Sequence, residues 1–376
     1  MTLGVALLCL AAWLGLRVRR RDLWRAAADF GEGAVSNTPS VVAIVPARNE
    51  AATIRACLRA LVAQDYAGSL VVVLVDDGSD DATAALAAEV ARDAARPVHV
   101  VAAPAKPHGW SGKVAAQQTG RRAVRELGLD APWLWLTDAD IVHEPDVLRR
   151  LVAEAQTRDL DLASLMVRLS TASAAERWLA PAFVYFFQLL YPFDAVNDPA
   201  RSTAAAAGGC VLVRTRALDA AGGFAAIADR LIDDVALAAL IKGQGGRLWL
   251  ATTHRSRSLR RYDWRGFVEM VARTAFTELR HSWLRLVGAL VGLGLVFVAP
   301  VLLLVIGEGV ARLLALAAVG LMLWSYRPMV AAYGLPWPWV LGLPAAAVAY
   351  MGMTLLSAWR HAQGQGPAWH GRRYAA

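Results

Sequence analysis

Three acidic clusters in the sequence carry residue types that could do chemistry. They are Asp76-Asp77-Gly78-Ser79, Asp138-Ala139-Asp140 and Ile232-Asp233-Asp234-Val235. Paired carboxylates supply the hard oxygen ligands that divalent cations prefer, and a carboxylate at a helix start can act as a general base. Lys113, in a glycine-containing loop, adds a cation that could approach phosphate oxygens. These types fit a site that handles a phosphate group with the help of a metal ion.

Each cluster also has an ordinary structural interpretation. Asp-x-Asp is common in solvated turns, and acids after a strand often cap the next helix. Asp233 and Asp234 could interact only with a helix dipole. Lys113 could be simply solvated, and the P-loop spacing Gly-x-x-x-x-Gly-Lys-Ser/Thr is absent around it. Only the ordered combination of clusters is informative.

The elements that would position these residues alternate between apolar runs and Ala-rich stretches. The runs predict strands at residues 41–46, 70–75, 98–102, 133–137 and 160–167. The stretches between them predict helices that begin near Asn49, Asp81, Gly112 and Pro145. The pattern predicts an α/β, Rossmann-like domain with a mostly parallel sheet and flanking helices. Because ligands bind beyond the carboxyl ends of such strands, we expect the clusters to converge on one edge.

Long apolar segments predict transmembrane helices at both ends of the sequence. Residues 286–306 and 336–359 carry no charge, and residues 313–333 carry only Arg327. Residues 3–16 precede a run of arginines without a cleavage site, which indicates an uncleaved anchor. By the positive-inside rule, these arginines and the domain after them stay in the cytoplasm.

The sequence leaves the side of the tail open. Three C-terminal spans would place Arg360, Arg372 and Arg373 outside, against the same rule. A re-entrant segment around Arg327 would return the tail to the cytoplasm.

Two aromatic segments outside these spans predict helices near the membrane. Residues 178–193 favour a membrane-surface or acceptor-facing helix, with a buried core helix as the alternative. Residues 264–284 have helical spacing and predict an interfacial helix that leads into the next span.

The expected organisation has six parts. They are an anchor (1–17), a basic linker (18–39), the α/β domain (40–254), an interfacial region (255–285), a membrane region with two or three spans (286–359) and a tail (360–376). The net charge of +8 comes largely from arginines near predicted membrane segments and fits an anionic lipid surface. No nucleic-acid-binding module is visible, so we expect no nucleic-acid partner. Cys9, Cys57 and Cys210 match no metal-ligand spacing and are expected to be reduced, mostly buried thiols.

The motifs, taken in order, resemble the inverting family 2 glycosyltransferases of GT-A fold over roughly residues 40–253. The motifs are Val45-Pro46-Ala47-Arg48-Asn49-Glu50, Val75-Asp76-Asp77-Gly78-Ser79, Gly112-Lys113, Asp138-Ala139-Asp140, Gly222-Gly223-Phe224 and Asp233-Asp234. Within that superfamily, four segments resemble the bacterial hopene-associated glycosyltransferases. These are residues 109–113, 207–210, 231–237 and 270–276. Ceramide glucosyltransferases are similar at a greater distance.

The resemblance implies roles for the acidic clusters. Asp76 or Asp77 would hold the base of a nucleotide-sugar donor, expected to be a UDP-sugar. Asp138 and Asp140 would hold its diphosphate through Mg²⁺ or Mn²⁺, and Asp234 would deprotonate the acceptor hydroxyl. The expected donor-binding residues are Pro46, Arg48, Glu50, Asp76, Asp77, Lys113, Asp138, Asp233 and Arg273.

The sequence departs from the family pattern in two places. Asp233 stands where a Glu is more usual, and the Gln-x-x-Arg-Trp motif of processive polysaccharide synthases is absent. The second departure favours a single transfer. Arg273, or one of Arg260 and Arg261, could contact the diphosphate instead, with a lipid-headgroup role as the alternative for these arginines.

The function implied by the resemblance is transfer of a sugar to a lipid hydroxyl, with a hopanoid as the expected acceptor. The location implied is a bacterial inner membrane, crossed several times, with the catalytic domain in the cytoplasm. A polyprenyl phosphate, a ceramide-like lipid or a glycerolipid would be an alternative acceptor. A non-catalytic scaffold for lipid-modifying enzymes is the alternative of another class.

Overall fold

The computed structural model describes residues 2–24, 37–366, 368–369 and 372–373. The chain divides into a sheet unit, Ala28–Leu169 and Phe193–Arg260, and a helical unit, Met1–Ala27, Ser170–Pro192 and Arg261–Ala376. Residues 170–192 therefore group with the helices, which the contiguous range 40–254 did not anticipate. Residues 25–36 of the predicted linker lie outside the described residues, as do residues 367, 370–371 and 374–376 of the predicted tail.

Within the described residues, eight strands form one sheet in the order β3-β2-β1-β4-β7-β6-β8-β5. The strands are β1 Val41–Ala47, β2 Leu70–Asp76, β3 Val98–Ala102, β4 Trp133–Leu136, β5 Ile141–His143, β6 Leu162–Arg168, β7 Val211–Arg214 and β8 Leu248–Ser258. A separate antiparallel ribbon joins Ala368–Trp369 to Arg372–Arg373. All five predicted strands are present, with ends that shift by two residues at most.

The sheet is mixed, although most of its strands share one direction. β1 pairs in parallel with β2 and β4, and β2 pairs in parallel with β3. β7 is antiparallel to both β4 and β6, while β8 is parallel to β6 and antiparallel to β5. In this sheet β7 and β5 alone oppose the other strands. The five predicted strands share one direction, whereas β5, β7 and β8 were not predicted.

The helices are numbered in chain order. They are α1 Thr2–Arg19, α2 Ile54–Val62, α3 Thr83–Asp93, α4 Gly112–Glu126, α5 Val147–Thr157, α6 Ala174–Leu190, α7 Phe193–Asn197, α8 Thr215–Ala220, α9 Asp233–Gly243, α10 Trp264–Ala272, α11 Ala275–Glu278, α12 Trp283–Leu293, α13 Ala299–Ile306, α14 Gly309–Ala332 and α15 Leu343–Ala362. Short 3₁₀ turns span Arg21–Trp24, Phe224–Ile227 and Trp337–Gly342, and a π-helical turn, Gly294–Val298, joins α12 to α13.

Three of the four helix starts were predicted two to five residues early. Asn49, for example, is not in α2, because its backbone is left-handed with φ 54°. Its N–H donates to the Ser79 hydroxyl, and its side-chain oxygen accepts from the Asp80 N–H at 2.8 Å. The polar residues after β1 and β2 therefore build a shared loop before the helices begin.

The central strands are buried on both faces, as expected for parallel strands covered by helices. Every residue of β1 is buried. α4 packs closely on this strand because Gly120 has no side chain, and a Cβ there would lie 2.5 Å from the Ile44 Cγ2. This close packing fixes the position of α4, whose first turn carries Lys113.

The helical unit contains the predicted membrane segments. Four helical segments of the described chain are long and apolar enough to cross a membrane: Thr2–Arg19, Trp283–Ile306, Gly309–Ala332 and Trp337–Ala362. The first segment begins at Thr2, and the other three lie between Trp283 and Ala362. The segment around Arg327 is thus a full-length candidate.

Two predictions for the aromatic segments need correction or refinement. A single interfacial helix over residues 264–284 is wrong, because α10 ends before Arg273 and left-handed Arg280 and His281 interrupt the segment again. α6 is present, but it buries Leu179 and Tyr185, which favours the buried alternative. Tyr185 shares a 2.7 Å hydrogen bond with the Ser325 hydroxyl of α14.

Candidate active site

The ends of β1 and β2 form the first wall of the site. The Asp77 N–H donates to the Ala47 carbonyl at 2.9 Å, and the Asp77 residue is 3% exposed. The Arg48 guanidinium donates to the carbonyl oxygens of Asp77 and Gly78, the latter at 2.8 Å. Two predicted donor-binding residues, Arg48 and Asp77, are therefore brought together at one sheet edge.

Two further predicted residues belong to the same wall. Pro46 is buried in β1 opposite Val75 of β2. The Asp76 carboxylate accepts from the Ser79 hydroxyl and N–H, so it holds the loop after β2. Asp76 thus has a structural task as well, which the alternative interpretation as a turn residue anticipated.

Lys113 is an ion-pair centre rather than a solvated loop lysine. It follows Ser111, whose side chain caps α4 by accepting from the Val114 N–H at 3.4 Å. The Lys113 Nζ lies 2.8 Å from the Asp138 Oδ1 and 3.4 Å from the Asp233 Oδ2. Burial alone would lower the pKa of Lys113, but the surrounding carboxylates outweigh this effect and raise it. The ammonium therefore stays charged and joins two of the three acidic clusters.

Asp140 is held by the end of β8 and the residues after it. The Ser258 hydroxyl donates to the Asp140 Oδ2, and the Arg260 Nε lies 3.6 Å from the same oxygen. Arg260 also forms an ion pair with Glu50, which accepts from the Thr53 hydroxyl at 3.1 Å. Glu50, predicted as a donor-binding residue, is therefore connected to the metal-ligand candidate Asp140 through Arg260.

A buried histidine, His143, holds the loop that carries Asp138 and Asp140. His143 in β5 shares a 2.9 Å hydrogen bond with the Thr137 hydroxyl and a 2.8 Å hydrogen bond with the Ser256 hydroxyl. Burial lowers the pKa of His143 to about 3, so the ring stays neutral at ordinary pH. His143 acts as a fixed spacer and not as an acid or base.

Asp233 and Asp234 open α9 and have different partners. The Asp233 Oδ2 accepts from the Gln117 amide at 3.0 Å and faces Lys113. The Asp234 carboxylate accepts from the Gly208 N–H at 2.7 Å and the Val235 N–H at 2.8 Å. Asp233 is therefore held by side chains, and Asp234 is held by the backbone.

The environment of Asp234 suits a general base. Burial raises the pKa of Asp234 to about 7, and the negative charge of Asp233 adds to the rise. Lys113 and the two backbone N–H groups act in the opposite direction without cancelling it. A carboxylate with such a pKa can accept a proton near neutral pH and still be ionised beforehand.

Gly208 lets the loop before β7 approach Lys113 and Asp234 closely. A Cβ at this position would lie 2.8 Å from the Lys113 Nζ and 3.2 Å from the Asp234 Oδ2. Gly208, Gln117, Ser258 and Arg260 are site residues that the analysis of acidic clusters missed. Arg260 was only one of three candidate arginines, and Gly208 was visible only as part of a resemblance segment.

One predicted donor-binding residue, Arg273, belongs to the other unit of the chain. Arg273 follows α10 in the helical unit, while the other predicted residues belong to the sheet unit. It lines a cavity of about 410 Å³ together with Glu269, His281, Arg360 and His361. The contacts around Lys113 and Asp140 thus form without it.

Comparison with known families assigns the chain to one of them. A family model described as "Glycosyltransferase like family 2" matches residues 39–277, which is more than half of the chain. The chain belongs to this glycosyltransferase family. The match covers the whole sheet and the acidic clusters at its strand ends.

Relatives of this glycosyltransferase include two rhizobial proteins. An N-acetylglucosaminyltransferase from Mesorhizobium japonicum is 35% identical over 144 residues, or 38% of this chain and 31% of the relative. An N-acetylglucosaminyltransferase from Bradyrhizobium elkanii is 34% identical over 147 residues, or 38% of this chain and 72% of the relative. The match therefore spans about a third of the length of the first relative.

A solved structure shares the fold over nearly the entire length. It is a mannosyltransferase from Pyrobaculum calidifontis in complex with GDP-Man and Mn²⁺, with a TM-score of 0.54 and 18% identity. The alignment covers 96% of this chain and 99% of the mannosyltransferase. The α/β, GT-A-like fold of the glycosyltransferase is thereby confirmed.

Proposed function

We propose that this glycosyltransferase moves one sugar from a nucleotide-sugar donor to the hydroxyl of a lipid, with inversion at the anomeric carbon. The observation that carries the proposal is the convergence of Asp138, Asp233 and Asp234 around Lys113 at the strand ends. Carboxylates that lie 25 to 121 positions from Lys113 along the chain would have no reason to share its half-buried ammonium unless the site handled charge. A scaffold without catalysis would not need this arrangement.

The donor is a nucleoside diphosphate sugar in this proposal, most simply a UDP-sugar. Asp77 is buried at the end of β2 beside Arg48 and would receive the base. Lys113 lies beside Asp138 and Arg260 lies beside Asp140, and these two cations would contact the diphosphate. The rhizobial relatives favour N-acetylglucosamine as the first sugar to test.

The carboxylates at the strand ends fit a divalent cation. Asp138 and Asp140 offer hard oxygens, and no group of three or more metal-binding side chains is found in the part of the chain that the structure describes. In this proposal Asp138 and Asp140 supply the protein ligands, with diphosphate and water oxygens as the others. Five acidic groups face Lys113 and Arg260, so a dianionic donor needs added positive charge there. Mg²⁺ or Mn²⁺, when bound, would stabilise the negative charge on the departing diphosphate.

The chemical step is a single displacement. The acceptor O–H proton passes to the Asp234 carboxylate, and the acceptor oxygen forms a bond to the anomeric carbon. The bond between that carbon and the diphosphate oxygen breaks, and the nucleoside diphosphate leaves from the opposite face. Asp233 keeps Lys113 in place, while the raised pKa of Asp234 matches the proton transfer.

The acceptor is a membrane lipid, and a hopanoid is the specific proposal. Four apolar segments in the described chain could hold the enzyme at a bilayer, where a lipid could present its hydroxyl without leaving the membrane. The resemblance to hopene-associated enzymes carries the choice of a polycyclic alcohol. We place the enzyme in a bacterial inner membrane with its sheet unit in the cytoplasm.

The test uses membranes that contain the full chain. They are incubated with a panel of labelled nucleotide sugars and with hopanoid, polyprenyl phosphate, ceramide or diacylglycerol, and the lipid extract is examined by mass spectrometry. We expect a monoglycosylated hopanoid that forms with Mg²⁺ or Mn²⁺ and not with EDTA. A glycosylated product on another lipid would make that lipid the acceptor. If no pair of donor and lipid gives a labelled lipid, the proposed function is refuted.

A further inference from the structure

The segment Trp337–Ala362, a 3₁₀ turn followed by α15, is long and apolar enough to cross a membrane. Its 26 residues extend over about 39 Å as a helix, more than the ~30 Å of hydrocarbon in a bilayer. A crossing would place the two ends of the segment on opposite sides. The neighbours of each end therefore decide whether it crosses.

α6 provides the first reference for the side of the membrane. The chain enters α6 from β6 and leaves it to α7, and both β6 and α7 belong to the sheet unit. A single crossing by α6 would leave parts of one folded sheet on opposite sides of the bilayer. α6 is therefore on the same side of the membrane as the sheet unit.

α10 and α11 provide the second reference. They follow β8, and no candidate span lies between β8 and Trp283. Both short helices are therefore on the side of the sheet unit as well. The Phe276 ring of α11 lies 5.1 Å from the Trp283 ring, so the second candidate span begins on that side.

The start and the middle of the segment contact α6. The Trp178 Nε1 donates to the Gly342 carbonyl at 2.9 Å, and a Cβ on Gly342 would lie 3.0 Å from the Trp178 ring. Eight residues later, the Tyr350 hydroxyl donates to the Leu179 carbonyl at 3.0 Å. The Tyr350 ring also lies 5.0 Å from the Phe186 ring. The first half of the segment thus stays beside α6.

The end of the segment contacts α10 and α11. The Arg360 guanidinium forms two 2.7 Å hydrogen bonds with the Glu269 carboxylate of α10. The Phe276 N–H of α11 donates to the Ser357 hydroxyl at 3.1 Å. Both ends of the segment are therefore held by helices from the same side of the membrane.

We propose that Trp337–Ala362 does not cross the bilayer but lies in the membrane surface on the side of the sheet unit. One stripe of the segment is exposed and apolar, and it would face the acyl chains. The stripe consists of Leu341 (57% exposed), Val348 (52%), Leu355 (48%) and Trp359 (52%). The opposite face packs on protein. This inference rests on the membrane location in the proposed function.

The other three candidate segments cross the membrane in this arrangement. The Arg20 side chain, just after α1, donates to the Leu189 carbonyl of α6 at 3.1 Å, so α1 ends on the side of the sheet unit. Trp283–Ile306 leaves that side, and α14 returns to it, since the Tyr326 ring lies 5.2 Å from the Tyr185 ring of α6. Arg327 follows Tyr326 directly and is then near the surface, where its charge costs little.

Three crossings resolve the conflict over the tail. Arg360, Arg372 and Arg373 come to lie on the same side as the arginines after α1 and as the sheet unit. This agrees with the positive-inside rule for every arginine cluster next to a span.

Single cysteines with a membrane-impermeant maleimide test the proposal. Leu335→Cys and Gln363→Cys flank the segment, Glu308→Cys lies between the two preceding spans, and Asp130→Cys marks the sheet unit. The native cysteines are buried, so the unsubstituted protein gives the background. Labelling is compared in spheroplasts and in inside-out vesicles, and transfer of sugar to lipid is measured in the same preparations.

We expect the cysteines at positions 130, 335 and 363 to label from one side and the cysteine at position 308 from the other. Labelling of position 363 from the side of position 308 would show that the segment crosses, and the proposal would be wrong. Labelling of position 308 from the side of position 130 would contradict the three crossings. If sugar transfer to lipid is retained, either of these labelling results would contradict the membrane arrangement and leave the enzymatic function standing. Loss of sugar transfer in all preparations would count against that function.

Discussion

Two adjacent aspartates at the start of α9 have separate tasks because their partners differ. Asp233 accepts from Gln117 and pairs with Lys113, so its charge is compensated. Asp234 accepts only backbone N–H groups among its described hydrogen bonds, and burial together with the negative charge of Asp233 raises its pKa to about 7. In the proposed mechanism the pair therefore combines a positioning residue with a proton acceptor.

Replacement of Asp234 by Asn should remove the proton acceptor while keeping its size. We expect kcat to fall by about 10²- to 10⁴-fold, the range typical of a lost general base. Donor affinity, measured by titration calorimetry, should change little because Lys113 and Asp138 remain. Asp229→Asn, at an exposed position, is the matched control and should keep full activity. Asp234→Asn activity within a few fold of normal would exclude the proposed base.

The pH dependence should report the same carboxylate. The base works only when ionised, and its pKa is raised to about 7. The kcat/KM value for the sugar donor should therefore rise about tenfold per pH unit below pH 7 and level off above pH 7. The measurement is a pH profile from 5.5 to 8.5 with a saturating lipid acceptor. A profile that stays flat between pH 5.5 and pH 7 would show that Asp234 does not limit the reaction.

At the scale of elements, the site depends on how closely the loop before β7 approaches α4 and α9. Gly208→Ala would place a methyl group against the Lys113 ammonium and the Asp234 carboxylate. The Lys113 side chain can move aside, so we expect nearly normal thermal stability. Activity should fall at least tenfold, because the movement breaks the ion pairs with Asp138 and Asp233.

Gly243→Ala is the control for this substitution. Gly243 ends α9, and no atom would lie within 4 Å of an added Cβ. Its activity should be normal and its stability equal or slightly higher. If Gly208→Ala is as active as Gly243→Ala, the close approach at Gly208 has no role in the site.

Five parallel strands were predicted because their apolar runs end in polar clusters. The strands β5 and β7, with three and four residues, were missed, and so was the longer β8, in which residues 252–258 are all polar. The loops that hold Asp138 and Asp140 depend on His143 and Ser258, whose contacts link β4, β5 and β8. Such long-range pairings leave no trace in local spacing.

The acidic residues were predicted by type and position, while their partners were not. Asp140 and Asp234 could be identified because carboxylates after strands or at helix starts suggest chemistry. Gln117 and Gly208 could not, because an amide in a helix and a glycine in a loop are ordinary residues until the fold places them beside an aspartate.

At the scale of the whole molecule, the apolar segments predict how firmly the enzyme is held in the membrane. Candidate spans such as Gly309–Ala332 should resist extraction by alkaline carbonate and release the protein only into detergent. Immunoblots of the supernatant and pellet after each treatment are the measurement. Release by carbonate alone would show that the enzyme is a peripheral membrane protein. The argument for a lipid acceptor from the apolar segments would then fail.

The central claim is that carboxylates from separate loops act together on a nucleotide sugar, and transfer of label into lipid tests it most directly. Membranes with the unsubstituted protein, with Asp138→Ala or with the exposed control Asp130→Ala are given a labelled UDP-sugar and lipid acceptor. We predict that the unsubstituted protein and Asp130→Ala form labelled lipid and that Asp138→Ala forms at least a hundredfold less. Equal labelling with Asp138→Ala, or no labelling with the unsubstituted protein, would contradict the account.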